Sequence, residues 1–333
     1  MEPHPPLRRD APNAAMIRNV MLTELALQVS DSAKARANAT RTLAVAIGSG
    51  AGERFQPWLR LTDGSPLLAH QIVRGELDVT FMNPSALLTQ AYRGVGLFRE
   101  PLPVRVIASY PSWDRYIHAI HPRTGITSMA QLKAERYPLR LSIRADASHS
   151  TRVLLDQILA LYDFTLDDLV SWGGSLQLVG PPSDPLRLEA LRTGAIDAIF
   201  DEGMKSWLDA GMADGLRPIA FEEPVLQQLE ALGWRRASIP AGGPLGRFPH
   251  LTEACMGIDY GGWPLYTRAD LPEDDVYLLC DALQARAATI PWEPGEYSGI
   301  PQLYQQTPET PRDVPLHPGA ERWCRDHGIA LSG

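Results

Sequence analysis

The amino-acid sequence predicts an α/β protein with two similar lobes that face one cleft. Two stretches of the same form support this prediction. Residues 75–81 and 194–200 both have the pattern Gly-x-(Leu/Ile)-Asp-(Val/Ala)-x-Phe. Each follows a predicted helix that starts at a Ser-Pro or Asp-Pro pair and stops at the glycine. Each then forms a short apolar strand with polar residues at its end, which is where open α/β sheets bind ligands.

Composition sets the broad class. With 333 residues, the chain has room for two domains with sizeable cores. An apolar content of 44% and a charged content of 21% are typical of a folded globular protein. The net charge of −8 and the lack of a Lys/Arg run argue against a nucleic-acid partner. The sequence contains no run of about 18 apolar residues, so it predicts no membrane span.

Metal, cofactor and disulfide signals are weak. Cys255, Cys280 and Cys324 lie far apart and form no Cys-x-x-Cys or zinc-spaced cluster, so we expect buried thiols, with one disulfide left open. The loop 48–52 lacks the third glycine of a dinucleotide fingerprint and the lysine of a phosphate loop. It is either an anion-cradling loop or a flexible turn. No metal and no cofactor is predicted.

The first 41 residues predict a Pro-rich tail followed by an amphipathic surface helix. Residues 16–29 are apolar but interrupted by Arg18, Asn19 and Glu24. A secretory signal tolerates such residues poorly, so no signal peptide is predicted and the expected location is cytoplasmic.

The remaining elements follow from periodicity and from turn residues. Predicted strands cover residues 43–47, 79–82, 104–109, 115–120, 139–143, 176–179, 196–200 and 217–221. Predicted helices cover residues 67–74, 84–92 (capped by Asn83), 128–135, a stretch beginning near 150, 185–193, a stretch ending at 232, 271–288 and 315–327. Residues 238–246 are predicted to be a loop, and His118 and His121 are interpreted as structural.

A run of hydroxyl residues marks the start of the helix near residue 150. Val153, Leu154, Ile158 and Leu161 give this helix its apolar face. Ser148, Ser150 and Thr151 therefore lie at its N-terminus, where hydroxyls and free N–H groups converge on an anion. Helix capping alone explains some of these residues, but the polar run is longer than a cap requires.

The C-terminal segment resembles a known family. Residues 314–328, Val-Pro-Leu-His-Pro-Gly-Ala-Glu-Arg-Trp-Cys-Arg-Asp-His-Gly, are similar to the C-terminal signature of the TAXI family. These proteins are the substrate-binding subunits of tripartite (TRAP) transporters and have a type II periplasmic-binding-protein fold. Residues 104–109, 194–200 and 238–242 also match, and the resemblance covers most of residues 42–328.

The resemblance implies two α/β lobes, each a mixed sheet flanked by helices, that close over a small molecule, often a carboxylate. Lobe 1 is expected at residues 42–123 and 253–333 and lobe 2 at residues 124–252, with residues 1–41 outside both. The resemblance also implies a periplasmic location and TRAP-type membrane partners. The departures are Ser49 to Phe55 in the first loop, His149 in place of a small residue, and the missing export signal.

The candidate site combines positions implied by the family with residues singled out by their chemistry. Tyr110 and Trp113 follow a predicted buried strand and would stack on an unsaturated ligand, with core packing as the alternative. The predicted ligand-binding residues are Ser49, Arg54, Asn83, Ser85, Tyr110, Trp113, Ser148, His149, Ser150, Thr151, Asp201 and Glu202.

Three functions fit these residues. The first is a protein that binds a small organic acid in the cleft, with Arg54, Arg144 or Arg152 pairing the anion. The second is a cytoplasmic decarboxylase or hydrolase on the same fold, using His149, Asp201 and Glu202 as acid–base groups. No Gly-x-Ser-x-Gly elbow or metal spacing supports this enzyme. A ligand sensor is third, since no output surface is evident.

Overall fold

The computed structural model describes residues 14–31, 68–147, 149–307, 310–311 and 313–331. Its strands form one three-stranded and one seven-stranded sheet, and helices pack on both. The predicted fold class, a mixed α/β protein with sheets flanked by helices, is confirmed. The predicted strand at 43–47, the loop at 48–52 and the N-terminal tail lie outside the described residues.

The described helices and strands run in this order. The first half contains α1 (Ala14–Asp31), α2 (Leu68–Val73), β1 (Thr80–Phe81), α3 (Ser85–Arg93), β2 (Val104–Tyr110), β3 (Arg115–Ile120), α4 (Met129–Ala134), β4 (Arg140–Arg144), α5 (Ser150–Leu161) and α6 (Leu166–Ser171). The second half contains β5 (Ser175–Val179), α7 (Leu186–Arg192), β6 (Ala198–Asp201), α8 (Met204–Ala213), β7 (Arg217–Ile219), α9 (Glu223–Ala231), β8 (Arg236–Ile239), β9 (Cys255–Asp259), β10 (Trp263–Arg268), α10 (Glu273–Arg286) and α11 (Pro318–Asp326).

Each sheet receives one strand from a distant part of the chain. In the three-stranded sheet, β10 lies between β1 and β2 and is antiparallel to both. In the seven-stranded sheet, of order β5-β4-β6-β3-β9-β8, β3 is antiparallel to β6 and also pairs with β7. The chain therefore passes between the sheets twice, at residues 111–114 and 260–262. The lobe boundaries near residues 123 and 253 stay a prediction.

The two Gly-x-x-Asp stretches have the same backbone structure. Gly75 and Gly194 both adopt left-handed φ, +70° and +73°. The N–H of Gly75 donates to the carbonyl of Ile72 (3.0 Å), and that of Gly194 to the carbonyl of Leu191 (3.1 Å). In both copies the next two N–H groups donate to one carbonyl, that of Gln71 or Ala190. The repeat in the sequence is thus a repeat of the helix stop and of the strand that follows.

The repeated aspartate has the same role in both copies. Asp78 accepts a hydrogen bond from Arg268, the last residue of β10, at 2.7 Å. Asp197 accepts one from Arg123, three residues beyond β3, at 2.9 Å, and two from Arg140. In each sheet, the aspartate therefore binds an arginine at or just beyond the end of the inserted strand.

Three apolar clusters form the core. One lies between the three-stranded sheet and α1, α10 and α11, and another lies between the seven-stranded sheet and α7 and α8. The largest joins α2 and α3 to α5, α6 and α9, so it connects the elements around both sheets. The predicted N-terminal helix is present as α1, and Ile17, Met21 and Leu25 bury its apolar stripe. The three cysteines are free, and two of them are buried.

Some local predictions were wrong. Asn83 does not cap α3: Pro84 is the N-cap residue and makes no side-chain capping bond. Ser238 and Ile239, predicted as loop, belong to β8. Strand β10 was not predicted, although it is the central strand of its sheet.

Candidate functional site

The N-terminus of α5 forms one side of the candidate site. His149 is its N-cap residue, and the ring Nδ1 accepts a hydrogen bond from the Thr151 N–H at 3.2 Å. This contact requires Nδ1 to be the unprotonated ring nitrogen. Ser150 and Thr151 occupy the first turn of this 12-residue helix and are buried. Their hydroxyls thus lie where the helix N–H groups and the helix dipole favour negative charge.

Residues near the three-stranded sheet meet this helix start. The Ser150 hydroxyl donates to the backbone carbonyl of Asn83, which follows β1, at 3.2 Å. The hydroxyl of Tyr260, at the second passage between the sheets, bonds to Ser150 and also to Thr151 Oγ1 at 3.0 Å. The Asn83 side-chain oxygen is buried and has no hydrogen-bond partner among the described residues. The predicted residues Asn83, Ser150 and Thr151 are therefore brought together.

A buried charge cluster lies at the ends of β4 and β6. Asp201 is fully buried and forms ion pairs with Arg187 and, at 3.4 Å, with Arg144. Glu202 forms a short ion pair with the same Arg144 guanidinium, and 12% of its side chain is exposed. The Nε atom of Arg144 has no partner among the described residues. Asp201 is thus held as a structural anion, whereas Glu202 and Arg144 keep limited access to solvent.

Asp114, in the first passage between the sheets, completes this cluster. Its carboxylate accepts hydrogen bonds from the N–H groups of Gly203 (3.0 Å), Met204 (3.4 Å) and Arg115 (2.7 Å), so it caps the start of α8. Asp114 is also hydrogen-bonded to the carboxyl of Glu202. Burial raises the pKa of Asp114. Burial, with the negative charges of Asp114 and Asp201, raises the pKa of Glu202 to about 8.

Ser85 lies in a second buried network, beside the predicted site. Its hydroxyl accepts a hydrogen bond from Arg235, and that guanidinium also pairs with Asp259 at 2.6 Å. Asp259 pairs in turn with Arg115 at 2.9 Å. The Ser85 hydroxyl is therefore bound to a side chain from the seven-stranded side of the molecule.

The two predicted stacking residues are in contact with other aromatic rings. Tyr110 is buried, with its ring 5.0 Å from Trp263 and 5.4 Å from Trp292, and its hydroxyl accepts the Glu293 N–H at 3.1 Å. Trp113 is half-buried and lies 6.1 Å from Phe248. The stacking partners of both rings are side chains of the chain itself, as the core-packing alternative expects. Ser49, Arg54 and Ser148 lie outside the described residues.

Ion pairs join α8 to the segment that follows α10. Lys205 pairs with Glu293 at 2.7 Å and with Glu296. Arg247 pairs with the same two glutamates at 3.4 and 3.3 Å. Glu296 also accepts the backbone N–H of Trp113 at 3.1 Å. These contacts connect the elements of the two sheets near the first passage between them.

A surface groove of about 400 Å³ lies elsewhere, against α10 and the end of α11. Its lining includes Gln28, Leu278, Asp281 and His327. It contains none of the residues described above, whose polar groups converge at the start of α5 and at the ends of β4 and β6. Among the described residues, no group of three or more His, Cys, Asp or Glu side chains is arranged to hold a metal ion. No helix of the described part is long and apolar enough to cross a membrane.

Comparisons with known proteins give structural similarities only. No protein-family model matches the chain. No curated protein matches it in sequence. Among solved structures, XAC2383 from Xanthomonas citri bound to ATP has a TM-score of 0.45 at 14% identity, over 92% of this chain and 90% of that protein. The glycine betaine, L-proline-binding protein ProX of an ABC transporter from Borrelia burgdorferi has a TM-score of 0.39 at 11% identity, over 78% and 74% of the two chains.

A TRAP periplasmic solute-binding protein from Roseobacter denitrificans with bound β-D-glucuronate has a TM-score of 0.35 at 12% identity, over 97% of this chain and 84% of that one. The structural neighbours of the present chain thus include periplasmic solute-binding proteins of the ABC and TRAP types. These TM-scores lie below 0.5, and the fold is defined by the strand order of the two sheets.

The sequence did not reveal three residues of this site: Asp114, Arg187 and Tyr260. Asp114 and Tyr260 lie in the two passages between the sheets, which have no periodic pattern. Arg187 lies in a helix, where an arginine is expected to be exposed, yet it is fully buried. The sequence signals for this cluster were the pair Asp201-Glu202 at a strand end and Arg144, one of the three arginines expected to pair the ligand.

Proposed function

We propose that the chain is a solute-binding protein, of the TAXI type that its C-terminal segment resembles, and that it binds a small organic acid. The ligand's carboxylate lies at the N-terminus of α5, beside Arg144. The single observation that carries this proposal is the hydrogen bond from Ser150, at the start of α5, to the carbonyl of Asn83, which follows a strand of the other sheet. A ligand held at this point touches elements of both sheets, so its binding favours their closed arrangement.

The chemistry of the surrounding groups supports an anionic ligand. The start of α5 offers two hydroxyls and the positive end of the helix dipole, whereas the N–H groups of Thr151, Arg152 and Val153 are already bonded to His149. Arg144 offers a planar guanidinium that is nine-tenths buried and has an unpartnered Nε among the described residues. A guanidinium binds a carboxylate in two parallel hydrogen bonds, which gives orientation as well as affinity. The TAXI resemblance adds TRAP-type membrane components as the partners of an exported form.

The proposal is tested by thermal unfolding in the presence of succinate, L-alanine and benzoate. A ligand at 100 times its dissociation constant stabilises the folded protein by about 2.7 kcal/mol, which raises Tm by about 2 °C or more. Ser150→Ala should remove most of this shift. Ser128→Ala is the matched control, because Ser128 likewise lies at a helix start, that of α4, where its hydroxyl accepts the Gln131 N–H. No shift with any of the three compounds, or an equal loss in both variants, would contradict the proposal.

One observation favours an acid–base enzyme as a second candidate. Glu202 is hydrogen-bonded to a second carboxyl and has its pKa raised to about 8, as in sites that hold a proton for transfer. Asp201 does not fit a catalytic role, since it is fully buried between two guanidinium groups. Recovery of each bound acid after incubation separates the candidates. Unchanged acid supports binding, whereas consumption that stops in Glu202→Gln supports the enzyme.

A further inference from the structure

The charge cluster has more carboxyl groups than cations. Its three carboxyls are Asp114, Asp201 and Glu202, and its two guanidinium groups belong to Arg144 and Arg187. Asp201 forms an ion pair with Arg187 and shares the Arg144 guanidinium with Glu202. Glu202 has only a share of Arg144, and Asp114 is held by backbone N–H groups.

The hydrogen bond between Asp114 and Glu202 requires a proton, because two ionised carboxylates are both acceptors. With one proton on this pair, two negative and two positive charges remain in the cluster, and the buried charges balance. Two carboxyls that share one proton in this way are a known solution for like charges in close contact. When Glu202 carries the shared proton, it is neutral. It can then move away from Arg144 without becoming an unpaired buried anion.

We propose that Glu202 is an internal substitute for the ligand: it occupies Arg144 in the ligand-free protein, and the carboxylate of the bound acid replaces it. The inference rests on the proposed function, since it assumes that an organic acid binds at this site. On binding, the ligand takes the Arg144 guanidinium, while Glu202 remains bonded to Asp114 as a neutral carboxylic acid. No covalent bond changes, and the only chemical event is the gain or retention of one proton by the Asp114–Glu202 pair.

The charged and titratable groups around Glu202 together set the pH at which this exchange is easiest. Asp114 and Asp201 oppose its ionisation, whereas Arg144 and His149 favour it. Tyr260 faces Glu202 from the start of α5, where it bonds to Ser150 and Thr151. The positive charge of Lys205 favours ionisation of Asp114, the carboxyl bonded to Glu202. Burial is the largest influence and opposes ionisation as well.

The pH dependence of ligand affinity follows from this arrangement. Below about pH 8, Glu202 carries a proton, so the anionic ligand displaces a neutral group from Arg144 and no proton is taken up. Above that pH, Glu202 ionises and competes as an anion, so each bound ligand requires the uptake of one proton. Affinity should then fall by up to about tenfold for each further pH unit.

Calorimetric titration with succinate and with benzoate tests the inference, because neither acid titrates between pH 7 and pH 9. Each titration is made at both pH values in two buffers that differ in ionisation enthalpy, which gives the number of protons taken up. The wild-type protein should lose several-fold in affinity at pH 9 and take up close to one proton. Glu202→Gln should bind with the same affinity at pH 7 and pH 9 and take up no proton, because glutamine cannot ionise.

The matched control is Glu222→Gln, since Glu222 is also half-buried and accepts a hydrogen bond, from Tyr162, away from this cluster. This variant should behave as the wild type does. An equal loss of affinity at pH 9 in Glu202→Gln would overturn the inference and leave the proposed function standing. Weaker binding of Glu202→Gln at pH 7 would also overturn it, because Glu202 would then assist the ligand. No binding of either acid to the wild-type protein contradicts the proposed function, and the inference falls with it.

Discussion

Buried hydroxyl groups differ in what they contribute, and two tyrosines show the difference. Tyr260 and Tyr266 are both almost completely buried. The Tyr260 hydroxyl bonds to two side chains at the start of α5, whereas that of Tyr266 has no partner among the described residues. A buried hydroxyl with partners stabilises the fold, and one without them costs desolvation energy.

We therefore expect Tyr260→Phe to lower the free energy of unfolding by about 1–2 kcal/mol, because Ser150 and Thr151 lose a partner. Tyr266→Phe should leave it unchanged or raise it slightly, since no bond is lost. Urea unfolding of both variants measures the difference. Equal destabilisation would show that the Tyr260 hydroxyl bonds contribute nothing.

Glu202 should also make the stability of the protein depend on pH. Its pKa is raised in the folded state to about 8, so the folded protein holds a proton that the unfolded chain releases near pH 4.5. The stabilisation is fully present below pH 4.5 and is lost as the pH rises to about 8, at up to about 1.4 kcal/mol per pH unit. In Glu202→Gln this loss should disappear. Urea unfolding of both proteins at pH 5, 6.5 and 8 measures this difference. If the free energy of unfolding of Glu202→Gln fell with pH as steeply as that of the wild type, the prediction would be wrong.

At the scale of elements, the repeated helix stop gives a paired prediction. Both Gly75 and Gly194 have left-handed φ, and a Cβ added to either would have no atom within 4 Å. The cost of an alanine is therefore conformational strain alone, about 1–2 kcal/mol at each position. Gly75→Ala and Gly194→Ala should lower the free energy of unfolding by similar amounts.

Gly180→Ala is the control for this pair. Its φ lies outside the left-handed region, and an added Cβ would make only an ordinary contact of 3.5 Å with Asp184. We expect a change within about 0.5 kcal/mol. A large effect at one repeat glycine and none at the other, by urea unfolding, would show that the two stops are not equivalent.

The sequence predicted local elements better than long-range pairing. Strand β3 was predicted with its observed bounds, because Arg115 to Ile120 is largely apolar and is followed by the turn residues His121 and Pro122. Strand β10 was missed, since it follows two glycines and contains Pro264, which usually argues against a central strand. Local pattern also could not show that β3 and β10 insert into sheets formed by distant strands.

The candidate site was predictable where it lies at element ends. Ser150, Thr151 and Asn83 follow from a helix start and a strand end, and these residues do meet. Asp114 and Tyr260 could not be found in this way, because their positions depend on how the chain passes between the sheets. Arg187 was missed because its burial is caused by the fully buried Asp201 carboxylate, a tertiary contact.

At the scale of the whole molecule, ion pairs between elements of the two sheets should stabilise the arrangement described. Lys205→Met removes the cation nearest to Glu293 and Glu296, which are only 20% and 8% exposed. We expect a loss of about 1–3 kcal/mol in the free energy of unfolding and faster hydrogen exchange at residues 290–297. Hydrogen exchange followed by peptide mass spectrometry measures the second effect.

Arg236→Met is the control for this variant. Arg236 also pairs with two glutamates, Glu223 and Glu230, but both are well exposed. Exposed pairs contribute little, so we expect a smaller loss of stability than in Lys205→Met and no change in exchange at residues 290–297. If both variants behaved alike, the cluster around Lys205 would have no special role in joining the two parts.

The most direct test of the central claim is hydrogen exchange with and without the acid of the panel that raises Tm most. A ligand held between the sheets should slow exchange both at the start of α5, residues 150–153, and at the start of α3, residues 85–88. We expect protection of both segments together, and its loss from both in Ser150→Ala. Protection of only one segment, or of the groove beside α10 instead, would contradict it.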